Sequence, residues 1–180
     1  MEYITLREEN FPDFLRLYAD AFPLEERRPY ADASEFGEFV RSKHPKFNVL
    51  AAMEDGKFVG FMSYWNFDGY TYIEHFAVSP ELRGRNIGRA MMEYVFKAVN
   101  NNVLIEVELP ETEMARRRIG FYKRLGFCPH HDIEYIQPPY SDGLSPLPLM
   151  LMTHGNVDMS DWQRTVAPML REVYRYDNGC

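Results

Sequence analysis

The sequence predicts an α/β fold of the α+β kind. It has one mixed, mostly antiparallel sheet of six or seven strands, flanked by helices, with an extra helix at the C-terminus. Three observations predict it. Two Asp-Gly turns, Asp55-Gly56 and Asp68-Gly69, separate three apolar runs and string them into an antiparallel meander. A strand at 72–78, an amphipathic helix at 87–99 and a strand at 103–109 succeed one another at crossover length, which requires a right-handed connection and a parallel pair. At 180 residues, 46% of them hydrophobic, the chain can bury a sizeable core as one domain over 1–180, with 156–180 a helical extension.

Taken in order, Tyr3 to Arg7 alternates as a first strand. Asn10 can cap the next helix, Pro12 is tolerated in its first turn, and Phe11, Phe14, Leu15, Tyr18 and Phe22 repeat at helical spacing until Pro23. Residues 24–30 read as a polar link. A second helix over 33–43 has few apolar residues (Phe36, Phe39, Val40) and is expected to be partly buried. The meander comprises 48–53, 58–65 and a strand ending at Val78, and the first strand extends it to four. In the helix after 87, Ile87, Ala90, Met91, Tyr94, Val95, Ala98 and Val99 form the expected inner face. Asn100-Asn101-Asn102 ends it. A further helix over 113–125 turns Ala115, Ile119, Tyr122 and Leu125 inward and stops at Gly126 as a C-cap. One strand is expected over 127–137, a turn-rich loop over 138–146, and a last strand over 147–153. Ser160 and Gln163 are spaced as a capping box for a terminal helix carrying Trp162, Val166, Leu170 and Val173.

Composition excludes several classes. The apolar runs are far shorter than a membrane span, and the first residues lack a basic segment followed by an apolar one. Two cysteines, Cys128 and Cys180, make no disulfide framework, which points to a reducing compartment and a cytoplasmic location. The net charge of -7 argues against general phosphate attraction to nucleic acid. Yet nine of the 20 Lys and Arg lie between Arg83 and Arg124, under a quarter of the chain. An acidic chain that gathers its cations this way has a specific small anion to hold, or a solvated basic face.

The turn from Val78 to Gly88 is where that anion belongs. It runs from a strand into a helix and carries Arg83, Gly84, Arg85, Asn86 and Gly88. A helix start with open backbone N–H groups and arginines beside it binds phosphate. It lacks the Gly-Lys-Ser/Thr of a P-loop and the third glycine of the dinucleotide fingerprint. Asn86 tolerates the left-handed conformation that lets the backbone approach an anion. The stretch Val78-Ser-Pro-Glu-Leu-Arg83-Gly84-Arg85-Asn86-Ile87-Gly88-Arg89-Ala90 resembles the acetyl-CoA-binding motif of the GNAT N-acetyltransferase superfamily. Arg83 stands at its first position, Gly88 at its last, and Asn86 where glycine is commoner. A second register, Arg85, Gly88, Ala90, is also present. Phe121-Tyr122-Lys-Arg-Leu-Gly126-Phe127 is similar to the family's second signature, and the element order agrees from Tyr3 to about Thr153.

The resemblance implies an acetyl-CoA-dependent N-acetyltransferase that moves an acetyl group to a primary amine by direct attack, with acetyl-CoA as co-substrate and no metal. It implies that the backbone at Phe76, Ala77 and Val78 meets the pantetheine, that a bulge splays this strand from 103–109, and that Arg83 to Ala90, with Ile87 and Arg89, surround the pyrophosphate. One of Arg116, Arg117 and Arg118 is a candidate for the ribose phosphate. Tyr122 falls at the position of the acid that protonates the leaving thiolate. Glu74, in an apolar strand, is the candidate base, its pKa raised by partial burial. Glu108 is the reserve base or an anchor for a cationic acceptor, and Glu106 on the same face competes with it. Alternation puts His75 opposite Glu74, as a structural residue. Tyr30 and Tyr140 are candidate acceptor contacts, with Glu25, Glu26 and Asp142 able to attract a cation. The expected partner is a small-molecule amine or a protein amine, in a monomer or a homodimer, with neither nucleic acid nor membrane. Transfer of another acyl group, and a silent acyl-CoA-binding or partner-binding module of the same fold, are the alternatives.

Overall fold

The computed structural model describes residues 1–99 and 102–176; Asn100, Asn101 and Cys180, noted above, lie outside that range. β1 (Glu2–Thr5) is followed by α1 (Phe11–Ala21) and α2 (Ala33–Lys43), then β2 (Phe47–Glu54), β3 (Lys57–Phe67) and β4 (Tyr70–Val78). After α3 (Ile87–Ala98) come β5 (Val103–Glu108), α4 (Glu113–Arg124), β6 (Cys128–Pro129), β7 (Tyr135–Gln137), β8 (Leu147–His154) and α5 (Trp162–Tyr174). The sheet order is β1-β2-β3-β4-β5-β8-β6, with β7 also on β8. Among the described residues only β4 and β5 run parallel, and the other pairs are antiparallel. The mixed sheet and its α3 crossover are those the sequence predicts.

Asp55 and Gly56 take φ 51° and 73°, the left-handed pair a two-residue hairpin turn needs. The helices cover both sides of the sheet. α1, α2 and α5 bury Phe14, Tyr18, Phe36, Val166, Met169 and Val173 with Phe61, Trp65 and Tyr72 on one face. α3 and α4 bury Met91, Met92, Val95, Phe96, Ile119 and Tyr122 with Met62, Ile73 and Ile105 on the other. Burying aromatic side chains of this size on both faces is the main term holding the layers together, at about 25 cal/mol per Å² of apolar area.

Several local expectations differ. The strand expected over 127–137 is two short ones, β6 and β7, which is why the sheet has eight strands. Asn10 makes no side-chain cap, and its Oδ1 is buried without a partner among the described residues. Asp161, not Ser160, caps α5, because Ser160 is turned back onto Asp158. α2, by contrast, is partly buried as expected: Phe36 is fully enclosed and stacked on Phe14, while Phe39 and Val40 are half-buried. In α3 the inner stripe is rotated: Tyr94 is 43% exposed against Tyr3, whereas Met92 and Phe96 are buried. α3 is apolar on more than one side, and the stacking of Phe96 on Phe127 and His154 selects which stripe faces the sheet.

Candidate active site

β4 and β5 pair only from Thr71–Ile73 against Val103–Ile105. Past that point β4 stays on β3 to Val78 and β5 stays on β8 to Glu108, so the two strands part. The cause is a bulge. Ser63 pairs with His75 and Tyr64 with Ile73, leaving Glu74 as the extra residue. The free edge of β4 beyond Ile73 presents unpaired backbone N–H and C=O groups to a cavity of about 970 Å³. Both motifs that carry the resemblance contribute to its wall.

At one end is the turn. Asn86 takes φ 61° and Gly84 φ 81°, both left-handed, so asparagine does here what a glycine would. Asn86 makes no side-chain cap on α3, and the helix's first backbone bond is from Ala90 N–H to Asn86 O. The N–H groups of Ile87, Gly88 and Arg89 therefore have no intrahelical partner, at the positive end of a 12-residue helix. A Cβ on Gly88 would lie 3.0 Å from Cζ of Phe76, which packs against Phe121. These features fit a pyrophosphate: open amides, a left-handed approach and a glycine where no side chain fits. Gly88→Val should weaken coenzyme A binding about 10- to 100-fold by calorimetry, the worth of one or two charge-assisted hydrogen bonds, with the helical spectrum retained. Unchanged affinity would move the pyrophosphate elsewhere.

The arginines divide. Arg83 lines the cavity and has no ion-pair partner among the described residues, and Arg89 lines it while bonded to Glu93 at 2.8 Å. Arg85 does not line it: it is held by Glu54 through two bonds of 3.0 Å. Ala90 is likewise outside the lining, whereas Phe76, Ala77, Val78, Gly84, Asn86, Ile87 and Gly88 are in it. On α4, Arg116 bonds the carbonyls of Pro110 and Glu111, Arg118 bonds Glu108, and Arg117 lines the cavity beside its own helix partner Glu113.

Midway along the wall is Tyr122, packed edge-on against Phe121 and Phe127 and 9% exposed. Burial pushes its hydroxyl up to about 12, against the lowering effect of Arg118, so the phenol keeps its proton at neutral pH. Thr112 caps α4, and Gly126 ends it at φ 90°, which fixes the tyrosine's height on the wall.

The lining also holds Asp20, Glu26, Glu106 and Glu108, with Phe22 and Tyr140, and Arg118 lies on Glu108. Glu106 Oε2 accepts from Tyr72 at 2.8 Å and Tyr174 at 2.7 Å, and Oε1 accepts from Tyr135. Burial holds the Glu106 carboxyl above the ordinary carboxylate range, opposed by those three hydroxyls. Glu26 is also raised, by burial first and then by the neighbouring Glu108 carboxylate.

Glu74 departs from the expectation. Its side chain is 1% exposed, yet its pKa is lowered, not raised. Burial alone would raise it; the Arg28 guanidinium at 2.8 Å and Trp65 Nε1–H at 2.7 Å more than offset that. A carboxylate held ionised by a buried guanidinium is a poor proton acceptor. The bulge also cancels the alternation, so His75 points to the same layer as Glu74, with Nδ1 4.0 Å from Oε1. His75 Nε2–H donates to Glu26 O at 2.8 Å, and burial keeps the ring neutral. Tyr140 lines the cavity; Tyr30 does not, packing on Phe36 and Phe39 instead, and Glu25 and Asp142 are exposed outside it. Arg28, read from sequence as part of a polar link, is the residue sequence reasoning missed. Its only signal was an arginine within a segment bounded by two prolines.

The sequence model of the acetyltransferase (GNAT) family matches residues 11–127. A GNAT-family protein from Bacteroides thetaiotaomicron has a similar structure, with TM-score 0.86 and 31% identity over 98% of this chain and 100% of that one. A ribosomal-protein-alanine N-acetyltransferase from Brucella melitensis has TM-score 0.65 and 19% identity over 85% of this chain and 98% of its own. An aminoglycoside 6'-N-acetyltransferase solved with coenzyme A has TM-score 0.56 and 18% identity over 85% and 96%. No curated protein sequence matches the chain. The chain belongs to the GNAT acetyltransferase family. Among the described residues no helix is long and apolar enough to cross a membrane.

Proposed function

We propose that the protein is an acetyl-CoA-dependent N-acetyltransferase whose acceptor is a primary amine carrying a second positive charge. One observation carries the proposal: a single cavity joins an anion cradle at the start of α3 to the carboxylates of its lining, with Tyr122 and Glu106 on its walls. Acetyl-CoA bound there supplies the activated acetyl group. Arg83, Gly84 and residues 86–89 hold the pyrophosphate, and the free edge of β4 bonds the pantetheine arm. Glu106 accepts the proton that the amine sheds as its nitrogen attacks, since a raised carboxyl is closer to the pH at which a base is effective. Tyr122 gives its proton to the departing thiolate. Glu74 belongs to the framework, as the partner of Arg28, and is not the base.

Asp20 and Glu26 line the cavity with no ion-pair partner among the described residues and favour an acceptor that brings a cation to them, whereas Glu108 is already paired with Arg118 at 2.5 Å. Thiol release from acetyl-CoA with a panel of diamines, monoamines and alcohols tests both parts. Diamines should show the highest kcat/KM, by about two- to fivefold for one added ion pair near the surface. Glu106→Gln should cut turnover with the best amine by about 10²-fold or more while coenzyme A still binds. Tight coenzyme A binding without thiol release from any amine would make the chain a silent binding module instead.

A further inference from the structure

We infer that α5 is part of the working site and that Tyr174 is a positioning residue for Glu106; the inference rests on Glu106 being the proton acceptor proposed above. α5 lies beyond the stretch that the family model matches, and from sequence it reads as an appendage. Its bonds go to the two strands that part. Tyr70 of β4 donates to Thr165 O at 2.9 Å. Arg28 Nη2 donates both to Val173 O at 2.9 Å and to Glu74, the bulged residue of β4, at 2.8 Å. Tyr174 donates to Glu106 of β5 at 2.7 Å. Beyond Ile73, where β4 and β5 have no ladder bonds to each other, α5 holds Glu106 of β5 directly and Glu74 of β4 through Arg28.

The contact with Glu106 is the one that bears on chemistry. Tyr72 and Tyr174 Oη are 2.9 Å apart and both reach Oε2, while Tyr135 reaches Oε1. A carboxylate offers about four lone-pair directions. Three are taken by hydroxyls from three separate elements, which leaves one on Oε1 and fixes the plane of the group. All three rings are buried, so the hydroxyls cannot turn to water instead. Tyr140, on the cavity wall, extends the chain of hydroxyls, its Oη 3.4 Å from that of Tyr174. The titratable groups that act on Glu106 are Tyr70, Tyr72 and Glu74 of β4, Tyr135 of β7, Tyr140 of the loop before β8, and Tyr174 of α5. A hydroxyl that only filled space in a packed helix would have no effect on the titration of Glu106.

Two readouts test this on the full chain. One is the pH titration of the Glu106 side-chain carboxyl by carbon NMR; the other is the acid limb of kcat/KM with the best amine. Tyr174→Phe keeps the ring and removes one donor to the ionised form, so both midpoints should rise by roughly one pH unit. Fluorotyrosine at 174, a stronger donor in the same shape, should move both midpoints down, and it serves if Tyr174→Phe does not fold. Shifts in these directions support the inference. If the wild type releases thiol but neither change at 174 moves Glu106 or the acid limb, the inference falls and the proposed activity stands. If no amine yields thiol with the wild type, the base assignment falls and takes the catalytic role of Tyr174 with it.

Discussion

Tyr122→Phe lowers turnover about 10²- to 10³-fold and leaves coenzyme A affinity within twofold, the range expected when a general acid is removed and the ring is kept. The reasons are local. Tyr122 lines the cavity, its hydroxyl bonds no other side chain among the described residues, and burial holds it protonated, pushed up to about 12. A thiolate leaving into a partly apolar slot needs that proton more than one leaving into water. The phenylalanine keeps the edge-on packing with Phe121 and Phe127, so folding should change by less than about 1 kcal/mol. Steady-state kinetics paired with calorimetry separate the two effects. A variant that turns over like the wild type would remove Tyr122 from the chemistry.

Arg28→Met has the largest expected effect on stability, about 3–5 kcal/mol at neutral pH and a loss of about 10 °C in melting temperature. Arg28 lies over Phe39, Tyr140 and Trp65 at 4.7, 4.9 and 5.7 Å and is 12% exposed. Removing it leaves the Glu74 carboxylate and the Val173 carbonyl buried without that donor. The pH dependence follows from the sign of the shift. Glu74 is lowered in the folded protein, so the pair stabilises above the ordinary carboxylate range and its contribution is lost as pH falls through the folded pKa. The deficit of Arg28→Met should therefore be greatest near neutrality and shrink in acid, where Glu74 is protonated. Melting curves across that range check it. The double variant Arg28→Met, Glu74→Leu should recover much of the loss, because a buried pair replaced by apolar groups is often neutral.

How much of this is legible in the sequence depends on the range of the physics. The turn at 83–88 is local. A left-handed asparagine and a helix start with open amides follow from neighbours in the chain, and Asn86 at φ 61° is as anticipated; the ring of Phe76 against Gly88 comes from another element and is not. The Asp-Gly turn at 55–56 and the Gly126 C-cap are legible for the same reason. The bulge is not. One extra residue in β4 has no mark in composition, yet it turns His75 to the layer of Glu74 and ends the pairing with β5. The partner that makes Glu74 an ion-pair carboxylate stands 46 residues away, in a segment whose charge reads as exposed. Glu106 is visible only as one of two glutamates in a strand; its tyrosines come from β4, β7 and α5. Long-range pairing decides which of several carboxylates is a base, and no spacing rule reports it.

The central claim is that the slot between β4 and β5 holds acetyl-CoA with its pyrophosphate at the start of α3. A crystal structure of the acetyl-CoA complex tests it most directly. The account predicts pyrophosphate oxygens on the amides of Ile87, Gly88 and Arg89, the pantetheine arm along the free edge of β4, and the sulfur within hydrogen-bond reach of the Tyr122 hydroxyl. A pyrophosphate bound away from residues 83–89, or a thioester on the far side of the sheet from Tyr122, would contradict it.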